Sequence, residues 1–561
     1  MATTSSRSAS GTLENFEQPR YSRRETLLTM LSVLLVMLLA SLDQTIVGTA
    51  MPRIIADLQG FTLYTWVTTS YLLTSTVMVP IYGKLSDLFG RKPIFIFGLL
   101  IFLTGSALSG AAQSMIQLIL FRGFQGLGAA ALLPIAIAVV GDLFTPRERA
   151  KWQGVTGAVF GLSSIVGPLV GGWLTQYASW RWVFYVNLPI GIIALLVLIF
   201  LMPTLRSSST TQNPSIDYVG AALLVIGTVP LLLGFTWAGT LYDWLSPQIL
   251  GIFAFTIVAL IGFMLYEIWL ARRGGAPIIE PSLFKNSIFT ISTLITVVFS
   301  MGLFGSIFFI PLFIQGVVGT SISNSGLILT PLLLTSVVGS VFSGQLVARL
   351  GKYKWIAMVG MVISVLGSLM LLRLDLHSTN TDVVIAMLVM GMGMGFGMSL
   401  YTLIVQNAMP TKIGQATATL TFFRSIGSTV ALAAMGSLMN TAYLPAFQAA
   451  LPTAIKQHAS PQFLAIFSNP EVLLSADTLT KLYKAAQAQG PQGIATLNAV
   501  LEAVKTGLTQ GIHNVFIMST IVMFIGLIAL FFLKEIPLRG GRSRSSARET
   551  LTETLPVGAG N

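Results

Sequence analysis

The sequence predicts an all-α integral membrane protein of fourteen transmembrane helices with both termini in the cytoplasm, on three observations: composition, the length of the apolar blocks, and the placement of Lys and Arg. Of 561 residues, 54% are hydrophobic and 9% are charged, against roughly 25% charged in a soluble globular chain. Apolar blocks such as Leu31–Ala40, Ile94–Leu103 and Val515–Phe532 extend to the roughly 20 residues a helix needs to cross ~30 Å of hydrocarbon. Breaks at charged or Pro/Gly-rich stretches set helices near 26–50, 62–82, 94–112, 116–140, 153–176, 182–202, 217–238, 248–270, 288–315, 325–348, 355–373, 383–406, 415–440 and 510–533. With both termini inside, 23 of the 32 Lys and Arg fall in cytoplasmic tails and loops and seven outside, the bias that cytoplasmic loops carry. The remaining two, Arg122 and Arg424, fall within helices.

The same composition excludes several function classes. A net charge of +12 raises nucleic-acid binding, but the excess sits in short loops and tails and no compact basic domain exists. The absence of cysteine removes disulfides, thiolate catalysis and cysteine-ligated metals, and His377, His458 and His513 are too scattered for a metal site. The apolar run after Arg20, Arg23 and Arg24 has the outline of a signal peptide, but no hydrophilic secreted domain follows, so it reads as the first membrane helix.

Four of the seven external charges lie in segment 441–509, which reads as a water-exposed cap of amphipathic helices, either a lid over the transport path or a docking site for an accessory protein. An internal repeat is visible in the loops after the second and tenth helices. Gly83 and Gly90, and Gly344 and Gly351, are each spaced seven apart and followed by a cation, Arg91 or Lys352. Two similar halves that rock about a central site are the usual architecture for alternating access. The offset of the repeat leaves room for two additional spans, giving a 6+2+6 layout. The organisation is thus an N-terminal tail (1–25), a six-helix bundle (26–202), a linker with two extra spans (203–287), a second six-helix bundle including the cap (288–533), and a basic cytoplasmic tail (534–561) that serves as a topogenic anchor or touches anionic headgroups.

Three charged residues within apolar helices carry the chemistry. Asp43 lies in the first, where a carboxylate costs roughly 2.5–3.5 kcal/mol to insert and is a functional hypothesis by default. A buried carboxyl could take a proton from one side and release it to the other; the competing reading is a carboxylate held by hydrogen bonds near the outer interface. Arg122 opens the fourth helix and can favour ionisation of a nearby carboxylate, or else pair with carbonyls or headgroups. Arg424 poses the same choice between a structural pairing and a substrate or proton role. In the loop at 83–92, Asp87 with Arg91 and Lys92 could latch a cytoplasmic gate, or be a solvated loop. Gly157, Gly161, Gly167 and Gly171 in the fifth helix, with Pro168 and Gly172, permit close helix approach and bending.

Together these segments resemble the major facilitator superfamily, specifically the fourteen-helix drug:H+ antiporters of the EmrB/QacA type. Leu42 to Pro52 looks like the first-helix signature, Gly83 to Lys92 like the cytoplasmic-loop motif, Arg122 to Gly128 like the fourth-helix motif, and Gly167 to Gly172 like the antiporter motif. Trp180 to Gly191 matches the segment typical of fourteen-helix members, and the match covers roughly residues 25–535. The resemblance implies the major facilitator fold, proton coupling through Asp43 and Arg122, and gating through Lys84, Asp87, Arg91 and Lys92, with Gly167, Pro168, Gly171 and Gly172 as the antiporter motif. A departure is that helices nine to fourteen, as placed, contain no Asp or Glu, which disfavours the dications some relatives export. Candidates for the central cavity are Gln44, Thr45, Gln125, Phe304, Gln315, Met392, Met394, Tyr401, Gln406, Asn407 and Arg424, although each could equally serve ordinary helix packing.

The expected function is export of lipophilic small molecules by antiport with protons, in a bacterial cytoplasmic membrane, as a monomer, without cofactor or metal and with no nucleic-acid partner. Export of a lipid, siderophore or antibiotic made by the cell is the alternative within transport. A non-transporting membrane sensor is the alternative from another class, and an intramembrane enzyme is disfavoured because no acid/base pair or metal set converges.

Overall fold

The computed structural model describes residues 22–58, 63–203, 216–239, 241–319, 322–458, 460–467, 472–473 and 476–538. Most of the N-terminal tail, the middle of the linker, and Arg539, Arg542, Arg544 and Arg548 of the basic tail lie outside the described residues. The first bundle comprises α1 (Arg23–Leu58), α2 (Tyr64–Phe89), α3 (Arg91–Ala111), α4 (Met115–Leu143), α5 (Pro146–Tyr177), α6 (Trp182–Tyr185) and α7 (Asn187–Leu201). Next come α8 (Tyr218–Trp237), α9 (Pro247–Arg272) and the short α10 (Ser282–Lys285). The second bundle has α11 (Ser287–Phe313), α12 (Ile322–Leu350), α13 (Lys354–Leu371), α14 (Asn380–Ala408) and α15 (Ile413–Ala450), then short α16 (Thr453–His458) and α17 (Pro461–Ile466), α18 (Ala476–Ala488) and α19 (Gly490–Phe531).

Thirteen of the described helical segments, with α6 and α7 together making one, are long and apolar enough to cross a membrane. The sequence reading counted fourteen, and the difference is α2. Its 26 residues include Thr68, Thr69, Ser70, Thr74, Ser75 and Thr76, and two of these hydroxyls bond a neighbouring helix. Ser70 Oγ donates to Ile119 O (3.0 Å) and Thr74 Oγ1 to Gly123 O (2.8 Å), both on α4. A helix packed between α4 and α15 does not need the apolarity that lipid demands. It runs from one face of the protein to the other, because the end of α1 is tied at Asp57 to Arg181, which also reaches the end of α3 at Ala112, whereas α3 begins at the opposite face.

Helices α1–α7 pack on one another, α11–α15 pack with α19, and α8 and α9 form a pair that touches α2 and α15. The bundles meet along α5 with α12 and α2 with α15. The repeat explains both seams. Residues 83–89 and 344–350, read from the sequence as loops, are instead the last turns of α2 and α12, and only the second glycine of each pair turns the chain, Gly90 at φ 93° and Gly351 at φ 71°. The first glycine serves close approach: a methyl on Gly83 would lie 2.2 Å from Ala418 Cβ of α15, and one on Gly344 2.3 Å from Ala150 O of α5. Each repeat thus presses one helix end against the other bundle. This face, which bears most of the Lys and Arg, is called the basic face below; charge bias makes it the expected cytoplasmic one.

The cap is shorter than expected. Residues 441–450 and 490–509 continue α15 and α19 instead of forming separate surface helices. Leu497, Val500, Leu501, Val504 and Leu508 recur at helical spacing and are buried, and Gly507 lets the backbone of Tyr443 approach a would-be methyl to 3.0 Å. Polar residues on the far side of this stripe give it the amphipathic pattern of a surface helix. The cap proper is built from α16–α18 and is tied down by Tyr443, whose hydroxyl donates to Phe467 O (2.7 Å). The longer helices also place Asp382 in the first turn of α14 and Glu502 in α19, correcting the expectation that these helices lack acids; both side chains are exposed.

Close helix contact can be tested directly. A side chain on Gly128 would begin 2.3 Å from Phe102 N of α3, so G128L should lower the midpoint of thermal unfolding in detergent, with overpacking costing about 1–3 kcal/mol. G48A adds a methyl with no atom within 4 Å and should leave the midpoint in place.

Candidate functional site

Asp43 is fully buried, and its carboxylate gathers three donors from two helices. Arg122 Nη1 of α4 reaches Oδ2 at 2.8 Å, while Gln125 Nε2 of α4 and Asn187 Nδ2 of α7 reach Oδ1 at 2.9 and 2.8 Å. Local structure positions each of them. Arg122 and Gln125 are three apart and share a face of α4, where Arg122 Nη1 also donates to Gln125 Oε1 (2.9 Å). The break at Val186 between α6 and α7 leaves the Phe184 carbonyl to Ser106 Oγ (2.9 Å), and Ser106 in turn accepts from Asn187 Nδ2 (3.0 Å). The Tyr71 ring of α2 lies 4.1 Å from the Arg122 guanidinium carbon, closing the site. Breaking such a buried pair by removing one partner costs about 3–5 kcal/mol, because the other charge is left buried without its counter-charge.

The glycines of α5 seat that helix against α1 just beyond Asp43. Methyls on Gly167 and Gly171 would lie 2.0 Å from Thr45 Oγ1 and 2.4 Å from Thr49 Oγ1, and Thr45 Oγ1 donates to Ser163 O (3.2 Å). Pro168 is exposed, and Gly172 faces open space.

At the basic face, Arg91 ties Asp87 (2.5 Å), Ser86 Oγ (2.7 Å) and Asp142 of α4 (2.7 Å) together. Asp87 Oδ2 accepts from the backbone N–H of Gln415 (2.8 Å), in the first turn of α15, where a carboxylate is favoured by the exposed N–H groups of the helix. On the other seam the polarity is reversed. Arg147 donates from Nε to Ala348 O (2.7 Å) and from Nη2 to Arg349 O (2.9 Å), the last carbonyls of α12. Lys92 donates to the carbonyls of Ile199 and Met202 at the end of α7. Lys84 is half-buried among the carboxylates of Glu280, Asp87 and Glu267.

The cavity candidates divide. Gln125 belongs to the Asp43 site. Gln406 Nε2 crosses to the first bundle at Ile137 O (3.2 Å) and also bonds Thr417; Tyr401 is buried against the Phe299 ring, and Asn407 is buried. Met394 lines a small void of about 10 Å³ with Phe160 and Ser336 between α5, α12 and α14. Phe304, Met392 and Arg424 are half-buried, Gln44 is exposed, and Gln315 lies in a π-helical turn, Ile314–Val318, that follows α11. Sequence reasoning missed Asn187 and Ser106, ordinary polar residues whose role depends on the α6–α7 break. It also missed Asp217 and Glu267, buried acids whose oxygens would lie 2.1 and 2.7 Å from a methyl on Gly220 in the linker pair.

The sequence profile of the Major Facilitator Superfamily matches residues 33–432. The chain belongs to that superfamily. Within it, the chain is 39% identical over 530 residues to the multidrug transporter protein MdtP of Bacillus subtilis, covering 93% of this chain and 95% of the relative. It is 35% identical to multidrug resistance protein 3 of the same organism, covering 91% and 95%. A fungal relative, the acurin A biosynthesis cluster MFS-type transporter of Aspergillus aculeatus, is 31% identical over 74% of this chain and 75% of its own. Among solved structures, the human organic anion transporter MFSD10 covers 91% of this chain and is itself covered to 99%, with a TM-score of 0.55 at 13% identity, a likeness of fold alone. The drug:H+ antiporter resemblance read from the motifs is borne out at the level of family, and this major facilitator protein is a multi-pass membrane transporter, not an enzyme.

The chain has no cysteine, so a single introduced thiol reports on the basic-face seam. In T417C, at a buried position, a membrane-impermeant maleimide added from that face should react slowly. Adding D87N removes a charge-assisted bond worth about 1.5–3 kcal/mol and should speed labelling about tenfold or more.

Proposed function

We propose that this transporter exports lipophilic or amphiphilic small molecules by antiport with protons through alternating access, with Asp43 as the proton carrier and Arg122 as its switch. The single observation that supports this reading is the buried Asp43–Arg122–Gln125–Asn187 cluster. A carboxylate that loses its charge leaves Arg122 without a counter-ion and drives rearrangement of α4 against α1; loss of the proton restores the pair. The polar ties between the bundles that run through Asp87, Arg147, Ser340, Ser399 and Gln406 lie toward the basic face, which makes this arrangement the one closed on the expected cytoplasmic side. The names of the Bacillus relatives favour drugs as cargo. The protein works in the bacterial cytoplasmic membrane as a monomer without a cofactor, the proton gradient supplying the energy, and the cap covers the external mouth or receives an accessory protein.

A second reading is export of a metabolite that the cell itself makes, which the acurin-cluster relative favours. Small molecules extracted from the purified protein after expression in its native host would identify such cargo.

In proteoliposomes with an imposed proton gradient, D43N should reduce substrate-coupled proton flux at least tenfold, toward that of protein-free vesicles, while its unfolding midpoint in detergent shows that the fold survives. Coupled flux at the wild-type level in D43N would reject Asp43 as the carrier.

A further inference from the structure

Arg424 is a charge that the proton site does not use. It is twelve residues into α15, about 17 Å from the start of the helix at the basic face, and so at mid-membrane depth. Ser300 Oγ of α11 donates to its backbone carbonyl (3.1 Å), while Phe422, Phe423 and Ile426 beside it pack into the core of the first bundle. The residue therefore sits at the seam between the two bundles. Its guanidinium, half-buried, makes no hydrogen bond, ion pair or ring contact with any described residue.

Among the described residues of the second bundle, no acid neutralises it. The acids in its long helices are Asp382, which caps α14 through Thr379, and Glu502, on the extension of α19. Both are exposed and near the face opposite the basic one. Asp43 is already saturated by Arg122, Gln125 and Asn187. An unpaired charge at this depth is costly and marks a transport path or a ligand, and a guanidinium offers five donors in a planar fork that matches a carboxylate in two bonds.

We propose that Arg424 receives the anionic group of the cargo, and that this transporter favours amphiphiles bearing a single carboxylate, or a similar monoanion, on an apolar body over the corresponding cations. The assignment rests on the transport reading above and narrows its substrate class. A monoanion gives the guanidinium the partner the protein withholds, whereas a cation entering the seam meets an uncompensated positive charge.

The test uses the full-length protein in proteoliposomes and three probes that share a naphthyl body: 1-naphthylacetate, its uncharged amide, and naphthylmethyl-trimethylammonium. Binding to the purified protein is measured alongside transport. The carboxylate should be carried with a kcat/KM at least tenfold above the cation, and R424Q should lower the carboxylate-to-amide ratio about tenfold or more, with R424K recovering part of it. The ratio separates a lost ion pair from a general loss of folding, which would depress both probes together. Wild-type protein that carries the cation as well as the carboxylate overturns the assignment and leaves the transport reading standing. Wild-type protein that neither binds nor moves any of the three overturns both.

Discussion

The structure depends most on the burial of one negative charge. Asp43 is placed where water does not reach, and the protein answers with donors from α4 and α7 and an aromatic lid from α2. Arg122 on its own would be as costly there as Asp43 on its own. Neither is separable from the other, and the break between α6 and α7 exists in a place that turns Asn187 inward to complete the set. A site assembled this way holds together as a set, because removing either charge leaves the other buried without a partner.

The second constraint is how two bundles can be firmly apposed at one face and still separable. The contacts at the basic face are few and directional. One seam uses an acid at a helix N-terminus, Asp87 on α15; the other uses a cation at a helix C-terminus, Arg147 on α12. Both exploit the partial charges of helix ends, and both require glycine, Gly83 and Gly344, so that the backbones come close enough. The two loops have the same glycine frame but not the same charges: Ala348 stands where the first repeat has Asp87. The pseudosymmetry is therefore one of shape, with opposite electrostatics.

Legibility in the sequence followed from contrast with the surroundings. Asp43 and Arg122 stood out because ionisable residues are rare inside apolar blocks, and the paired glycines because their spacing recurs. Asn187 and Ser106 gave no comparable signal, since neutral polar side chains are common in membrane helices, and Pro189, which marks a helix start nearby, does not tell which side chain the break aims at Asp43. The ends of α15 and α19 were hidden by the opposite effect: residues such as Lys505 and Glu502 on one side of a helix outweighed, in a linear reading, the buried stripe on the other. Asp217 and Glu267 were passed over as linker, yet both are buried, and Glu267 interacts with Lys84 from a helix outside either bundle. That proximity gives α9 an electrostatic link to the end of α2, beside the packing of α8 against α2 and α15.

The geometry also links the Asp43 cluster to the seam through rigid elements. Helix α4 carries Arg122 and Gln125 toward one end, and toward the other it carries Asp142, bonded to Arg91, and the Ile137 carbonyl, bonded to Gln406 of the opposite bundle. Helix α5 lies against α1 beyond Asp43 through Gly167 and Gly171, and against α12 through Gly154, whose carbonyl accepts from Ser340 Oγ (3.2 Å). A small rotation of either helix about its middle shifts both ends at once, and because close-packed seams are either engaged or not, the response to such a shift is disengagement, not gradual deformation. Two unbroken helices spanning from the surroundings of the buried carboxylate to the basic face are the shortest mechanical path this fold offers between the Asp43 cluster and the seam.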